Sequence, residues 1–232
     1  MKSRLAVLRM AAAAVGGLAL GASQANADGY VRAPSYAAPF SWTGLYIGGQ
    51  AGYMWSDYDF TVTGTNETTF NVNGAMGGGH VGYNWQVGSL VLGVEGDLNA
   101  VNATGDDGGF GGSLDRGKIK SSGSVRGRIG YAWDNWMWYA TGGWAEADVT
   151  HTRVAIGESR SKMHDGWTIG TGVSVGLTKN IIAGVEYRFT DYQSKTYTWN
   201  ASVPTITDPD TQEVTFRLSY KFGDDRRMAP LK

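Results

Sequence analysis

Leu90-Val-Leu-Gly-Val-Glu-Gly-Asp-Leu-Asn99 alternates without a break. Leu90, Leu92, Val94 and Leu98 fall on one face, and Glu95 and Asp97 on the other. A period of two puts these sets on opposite sides of an extended strand. Two carboxylates in mid-strand, opposite a wholly apolar face, need either water or a closed interior around them.

Outward from this stretch the same pattern recurs, giving eight segments from Gly44 onward. They run Leu45–Trp55, Asn73–Trp85, Leu90–Asn99, Ile119–Trp133, Trp136–Ala147, Trp167–Thr178, Ile181–Tyr192 and Glu213–Phe222. The fourth opposes Val125, Ile129 and Tyr131 to Ser124, Arg126 and Arg128. The seventh opposes Ala183, Val185, Tyr187 and Phe189 to Glu186 and Arg188. The eighth opposes Val214, Phe216, Leu218, Tyr220 and Phe222 to Thr215, Arg217, Ser219 and Lys221. The connections alternate long and short. Ser56–Val72, Ala100–Lys118, Asp148–Gly166 and Gln193–Gln212 are long, while Gln86–Ser89, Asp134–Asn135 and Lys179–Asn180 are short. Short periplasmic turns, long external loops and an even strand number are the habit of transmembrane barrels.

Alternation alone does not say which face points inward, because a soluble barrel buries the apolar face and wets the other. Three features favour the inverted arrangement. The non-apolar face is largely Gly, Ser and Thr, its charges sit in mid-strand with both signs, and aromatics cluster where segments end. Tyr83/Trp85, Tyr131/Trp133, Trp136/Trp138 and Tyr220/Phe222 lie beside short turns; Tyr53/Trp55, Trp144, Trp167 and Tyr187/Phe189 lie beside long loops. Two aromatic girdles mark two bilayer surfaces. The sequence therefore predicts an all-β fold, an eight-stranded antiparallel up-and-down transmembrane β-barrel over residues 44–223.

The ends agree with export. Lys2, Arg4 and Arg9 precede an apolar run from Met10 to Leu20, and Ala25-Asn26-Ala27 supplies a small-x-small cleavage site. Residues 1–27 read as a signal peptide. An eleven-residue helix rises only ~16 Å, too short to span a bilayer core. Residues 28–43 form a periplasmic lead rich in Pro, Ala and Tyr, and residues 224–232 a C-terminal tail. The formal charge of −1 falls to −4 once the signal's three cations are removed, which gives nucleic acid no footprint. With no cysteine, lipid-modified N-termini, disulfides and thiolate metal sites are excluded.

On this parity Glu95, Asp97, Arg126, Arg128, Glu186, Arg188 and Arg217 all face the lumen near mid-height, three acids against four bases. An eight-stranded barrel is only wide enough for its side chains to fill, so these charges are expected to plug it. Tyr220 and Phe222 are expected to carry the assembly signal in the last strand.

The stretches SWTGLYIGGQAGY, GGGHVGYNWQ, LGVEGDL, SVRGRIGYAWD, YATGGWA, GVEYRFTDY and FRLSYKF resemble the small outer-membrane barrels of alphaproteobacteria, typified by the surface-antigen and porin-like proteins of Brucella and the rhizobia. The likeness covers roughly Ser41 to Gly223. It implies a Gram-negative outer-membrane barrel that supports envelope integrity and surface interactions, with haemin binding in some members. Such proteins often end at an aromatic residue read by the barrel-assembly machinery, whereas here residues 223–232 follow Phe222.

Other candidates are weaker. Gly112-Ser-Leu-Asp-Arg-Gly-Lys118 approaches a P-loop, but Ile119 replaces the Mg²⁺-binding hydroxyl and no helix follows. His80 lies alone on the lumen parity. His151 and His164 share the third long connection with Glu158, Ser159, Ser161 and Asp165. A sharp reading makes them haemin contacts, or the Ser/His site of a lipid-modifying enzyme; a solvated polar loop is the plainer one. The acidic pairs Asp106-Asp107 and Asp208-Pro209-Asp210 offer a divalent ion or a bridge to lipopolysaccharide but lack the spacing of a Ca²⁺ loop. No metal site or cofactor is expected. The expected partners are outer-membrane lipid, lipopolysaccharide and the assembly machinery. The function expected is a structural barrel with its loops as an interaction face, the alternatives being a low-conductance porin or a haemin-binding surface protein.

Overall fold

A computed structural model describes residues 40–62, 68–106, 115–153, 157–197 and 205–223. The expected signal peptide, all but the last residues of the expected lead, and the expected tail lie outside the described residues. Among the described residues nine strands follow in chain order: β1 Gly44–Val62, β2 Thr68–Val87, β3 Leu90–Asp106, β4 Asp115–Trp133, β5 Trp136–Arg153, β6 Glu158–Gly176, β7 Ile181–Tyr192, β8 Lys195–Tyr197 and β9 Thr205–Lys221. Each long strand pairs antiparallel with the next, and β1 also pairs with β9, Ile47 opposite Tyr220. Closure therefore makes an eight-stranded barrel, with β8 a short addition on β9.

The seam matters because a bilayer offers no water to unpaired backbone groups, so a spanning sheet must close on itself. Leu45, Ile47, Val81, Leu92, Val94, Val125, Ile129, Phe216 and Leu218 are all exposed, forming the apolar outer band. Trp136 and Trp144 mark its two edges on β5. Eight residues of strand tilted 35–45° span ~20 Å in height, close to the band of known outer-membrane barrels.

The strands run well beyond this band. The connections expected to be long loops are mostly hairpin: β1 continues to Val62 and β2 starts at Thr68, while β5 reaches Arg153 and β6 starts at Glu158. Above the bilayer neither face meets lipid, so the apolar/polar alternation fades although the ladder continues. The short turns sit as expected, with Asp134 and Asn135 joining β4 to β5 and Asp134 at a positive φ of 51°.

A closed ladder without a free edge is kinetically hard to open. The folded protein should resist SDS at room temperature and shift its gel migration on boiling. Identical migration before and after boiling counts against closure.

Candidate functional site: the filled lumen

Inward-facing side chains stack in three layers. At the periplasmic end the described part of the lead turns into the mouth. Trp42 is fully buried against Val91, Ala132, Met137, Tyr139 and Ile182, with Phe40 beside it at 4.7 Å between ring centroids. The Trp42 amide donates to Gln86 Oε1 at 2.8 Å, and the Gln86 amide donates to Thr43 Oγ1 at 3.0 Å. Lys221 Nζ donates to the Ser41 carbonyl and lies 4.8 Å from the centre of the Phe40 ring.

The middle layer is ionic. All seven charges expected there are buried: Glu95, Asp97, Arg126, Arg128, Glu186, Arg188 and Arg217. Arg126 reaches three carboxylates, Glu186 Oε1 at 2.5 Å, Glu95 Oε1 at 2.7 Å and Asp97 Oδ2 at 3.2 Å. Arg217 donates to Glu95 Oε2 at 2.6 Å and also to Glu186. Arg188 spans Asp97 Oδ2 at 3.0 Å and Glu213 Oε2 at 2.5 Å. Arg128 is held more loosely, 3.7 Å from Glu95 and 3.9 Å from Glu186, with its guanidinium 3.8 Å from the centre of the Tyr139 ring.

Neutral donors complete the layer. Tyr46 Oη donates to Glu95 Oε2 at 2.7 Å, Tyr139 Oη donates to Glu186 Oε2 at 3.0 Å, and Ser124 donates to Asp97. Room for the two phenols comes from glycine: a Cβ on Gly82 would lie 2.4 Å from Tyr46 Oη, and one on Gly172 2.5 Å from Tyr139 Oη. His80 Nε2 pairs with Ser219 Oγ at 2.7 Å, an interior hydrogen bond.

Sequence reasoning missed Glu213, placed at the first residue of the last segment. Because β9 begins at Thr205, Glu213 sits deep in the barrel and 1% exposed. It changes the expected three acids against four bases into four against four, each arginine with a carboxylate in reach. A dry interior penalises any uncompensated charge, so this balance is what makes an ionic layer tolerable.

The outer layer is mainly apolar and was also missed. Met54, Val72, Met76, Val101, Ala103, Ile119, Ala145, Ala147, Val149 and Tyr192 form one buried cluster above the charges. Val101 and Val149 fall within the expected loops, and Met54 stands between Tyr53 and Trp55, where alternation is hidden.

His151 and His164 are not loop residues. They lie on β5 and β6, 1% and 0% exposed, and the ladder sets His151 opposite Arg160 but His164 opposite Ala147. The structure does not bring them together. Beyond the outer girdle, burial holds the His164 imidazole below the usual histidine range, and its Nδ1 is 3.2 Å from the Gln193 carbonyl oxygen. Ser159 and Ser161 face outward, bonded to Thr152 and to Thr150 and Asp148, so hydroxyls and imidazoles occupy opposite faces of the ladder. Among the described residues no cluster of His, Asp and Glu has metal-site geometry. Residues 112–114 of the P-loop-like stretch and Asp107 lie outside the described residues, and Asp115–Lys118 simply open β4.

A closed antiparallel wall with apolar exterior, aromatic rims and polar interior defines an integral barrel of the Gram-negative outer membrane. Residues 10–222 match the family described as outer membrane protein beta-barrel domain, and the chain belongs to that family. It is 40% identical to a 22 kDa outer membrane protein of Rhizobium leguminosarum over 157 residues, 68% of this chain and 67% of that protein. It is 33% identical to the 25 kDa outer-membrane immunogenic protein of Brucella canis, covering 83% of this chain and 85% of that one. The barrel of OprG from Pseudomonas aeruginosa superposes with a TM-score of 0.56 at 13% identity, covering 80% of this chain and 99% of that chain, a likeness of fold.

Proposed function

We propose that this chain is a structural, non-catalytic barrel that contributes to envelope integrity and presents its external hairpins as an interaction face. The observation that carries the reading is the filled interior. A neutral ionic layer lies between two mainly apolar layers, and Trp42, Arg126 and Met54, one large side chain from each layer, are no more than 2% exposed. Eight strands enclose no more space than side chains fill, so a water path would need those layers to part. The word immunogenic in the Brucella relatives' names supports an exposed outer face here too.

The purified barrel in planar bilayers should give no discrete conductance steps, and liposomes carrying it should exclude arabinose. A strain lacking the gene should become more sensitive to deoxycholate and regain resistance with the wild-type copy. Regular steps together with sugar entry would replace this reading by a low-conductance porin.

A further inference from the structure

We propose that the outer wall of β1–β5 binds a phosphorylated, acylated glycolipid of the outer leaflet. An acyl chain lies in a groove floored by Gly79 and Gly96, and phosphate meets Lys118 and Lys120. The proposal rests on the placement in the outer membrane and not on the filled lumen.

The groove holds about 540 Å³ on the lipid-facing side, walled by Ile47, Val81, Leu98, Val125 and Trp144. Its upper end continues into a second hollow of about 350 Å³ that includes Lys120, Ser121 and Glu146. The depression is not forced by the barrel's own packing. A Cβ on Gly79 or Gly96 would meet nothing closer than 3.5 Å and 3.7 Å, ordinary contact distances, unlike the lumen glycines that make way for Tyr46 and Tyr139. At Gly79 and Gly96 the wall thus leaves unfilled space that its own backbone has room to fill, whereas at Gly123 a Cβ would meet the Leu98 side chain at 2.9 Å.

Above it, β4 carries Arg116, Lys118 and Lys120 at alternate positions on the outer face. Val125 pairs with Trp144 at the outer girdle, and Lys120 stands five residues further out, past a bulge between Ile119 and Ser121. Strand rise and tilt put its backbone ~10 Å above the girdle, at headgroup height. On the β3 side Thr104 stands directly opposite Lys118, with exposed Asn102 nearer the groove, while Asp106 stands opposite Arg116 and leaves Lys118 and Lys120 as the cations that face neutral residues. On the β5 side Glu146 and Asp148 sit on the same face, Asp148 already hydrogen-bonded to Ser161. A phosphate is therefore drawn to the β3–β4 side, directly above the groove. Cations at this end select the outer leaflet. A second copy fits worse: a two-fold axis along the membrane normal would bring the two basic stripes together at one height.

The test uses the full-length mature barrel refolded in detergent, with deep-rough lipopolysaccharide, its dephosphorylated form and phosphatidylglycerol as probes, read by gel filtration and native mass spectrometry. Lys118→Gln with Lys120→Gln should weaken lipopolysaccharide binding roughly thirtyfold and flatten its salt dependence. Gly96→Leu should weaken it while the salt dependence persists, and the dephosphorylated form should bind like the double variant. Heat-modifiable migration verifies that each variant is folded. Equal lipopolysaccharide binding by wild type and both variants overturns the proposal, as does equally tight phosphatidylglycerol. A dimer abolished by Gly96→Leu with lipopolysaccharide binding unchanged would assign the groove to a second copy instead.

Discussion

Arg126→Ala should destabilise the folded barrel by ~3–5 kcal/mol, the cost of leaving buried charges without their partner. Arg126 is the centre of the ionic layer, the side chain that meets Glu95, Asp97 and Glu186 at once. Without it Glu95 and Glu186 keep Arg217, but Asp97 keeps only Arg188, and four carboxylates face three arginines. For a chain of this size the loss is a drop of roughly 6–20 °C in the midpoint of the boiled-to-unboiled gel transition. Conductance should not rise, because the apolar layers at both ends remain. A paired change separates charge balance from packing. Arg188→Met together with Glu213→Leu removes one cation and one anion, and should cost less than either single substitution. An unchanged midpoint for Arg126→Ala, or additive losses in the pair, would show that the layer does not stabilise by charge compensation.

The layers differ in how much of them the sequence exposes. The lumen charges were legible because lipid imposes a strict apolar code on alternate residues, which leaves Glu95, Asp97, Arg126 and Glu186 no other face to occupy. That code ends at the girdle. Beyond it β9 runs through Thr205–Gln212 with both faces away from lipid, so Glu213 reads as the first residue of a strand that in fact began eight residues earlier. The same loss of contrast made loops of the upper hairpins and put His151 and His164 in solvent, where the continuing ladder turns both inward. Met54 escaped for the opposite reason: both of its neighbours are aromatic, and an apolar residue among apolar residues carries no phase. Trp42 and Phe40 belong to a segment with no period at all, and their burial depends on a mouth that exists only after the barrel has closed.

Phe222→Asp should leave almost no protein in the outer membrane, while the same variant should still refold in detergent. The combination is informative because the folded structure gives Phe222 little thermodynamic weight. Its side chain is 46% exposed on the lipid side of the periplasmic rim, stacked edge-on against Tyr220 with centroids 5.1 Å apart. Its amide donates to the Leu45 carbonyl at 2.7 Å, a backbone bond that aspartate retains. A charge at the bilayer interface costs only ~0–1 kcal/mol, against 2–4 at the midplane, so the finished barrel tolerates the change. A cellular failure would therefore arise before folding, when the barrel-assembly machinery reads the final strand. Tyr220 and Phe222 are the aromatic, lipid-facing pair that strand offers, beside the seam where β9 meets β1. Removing residues 224–232 should leave assembly intact, since the strand already ends at Lys221. Cell fractionation after pulse-labelling follows both variants. Normal insertion of Phe222→Asp, or periplasmic accumulation of the truncated chain, would move the signal out of the last strand and into the tail.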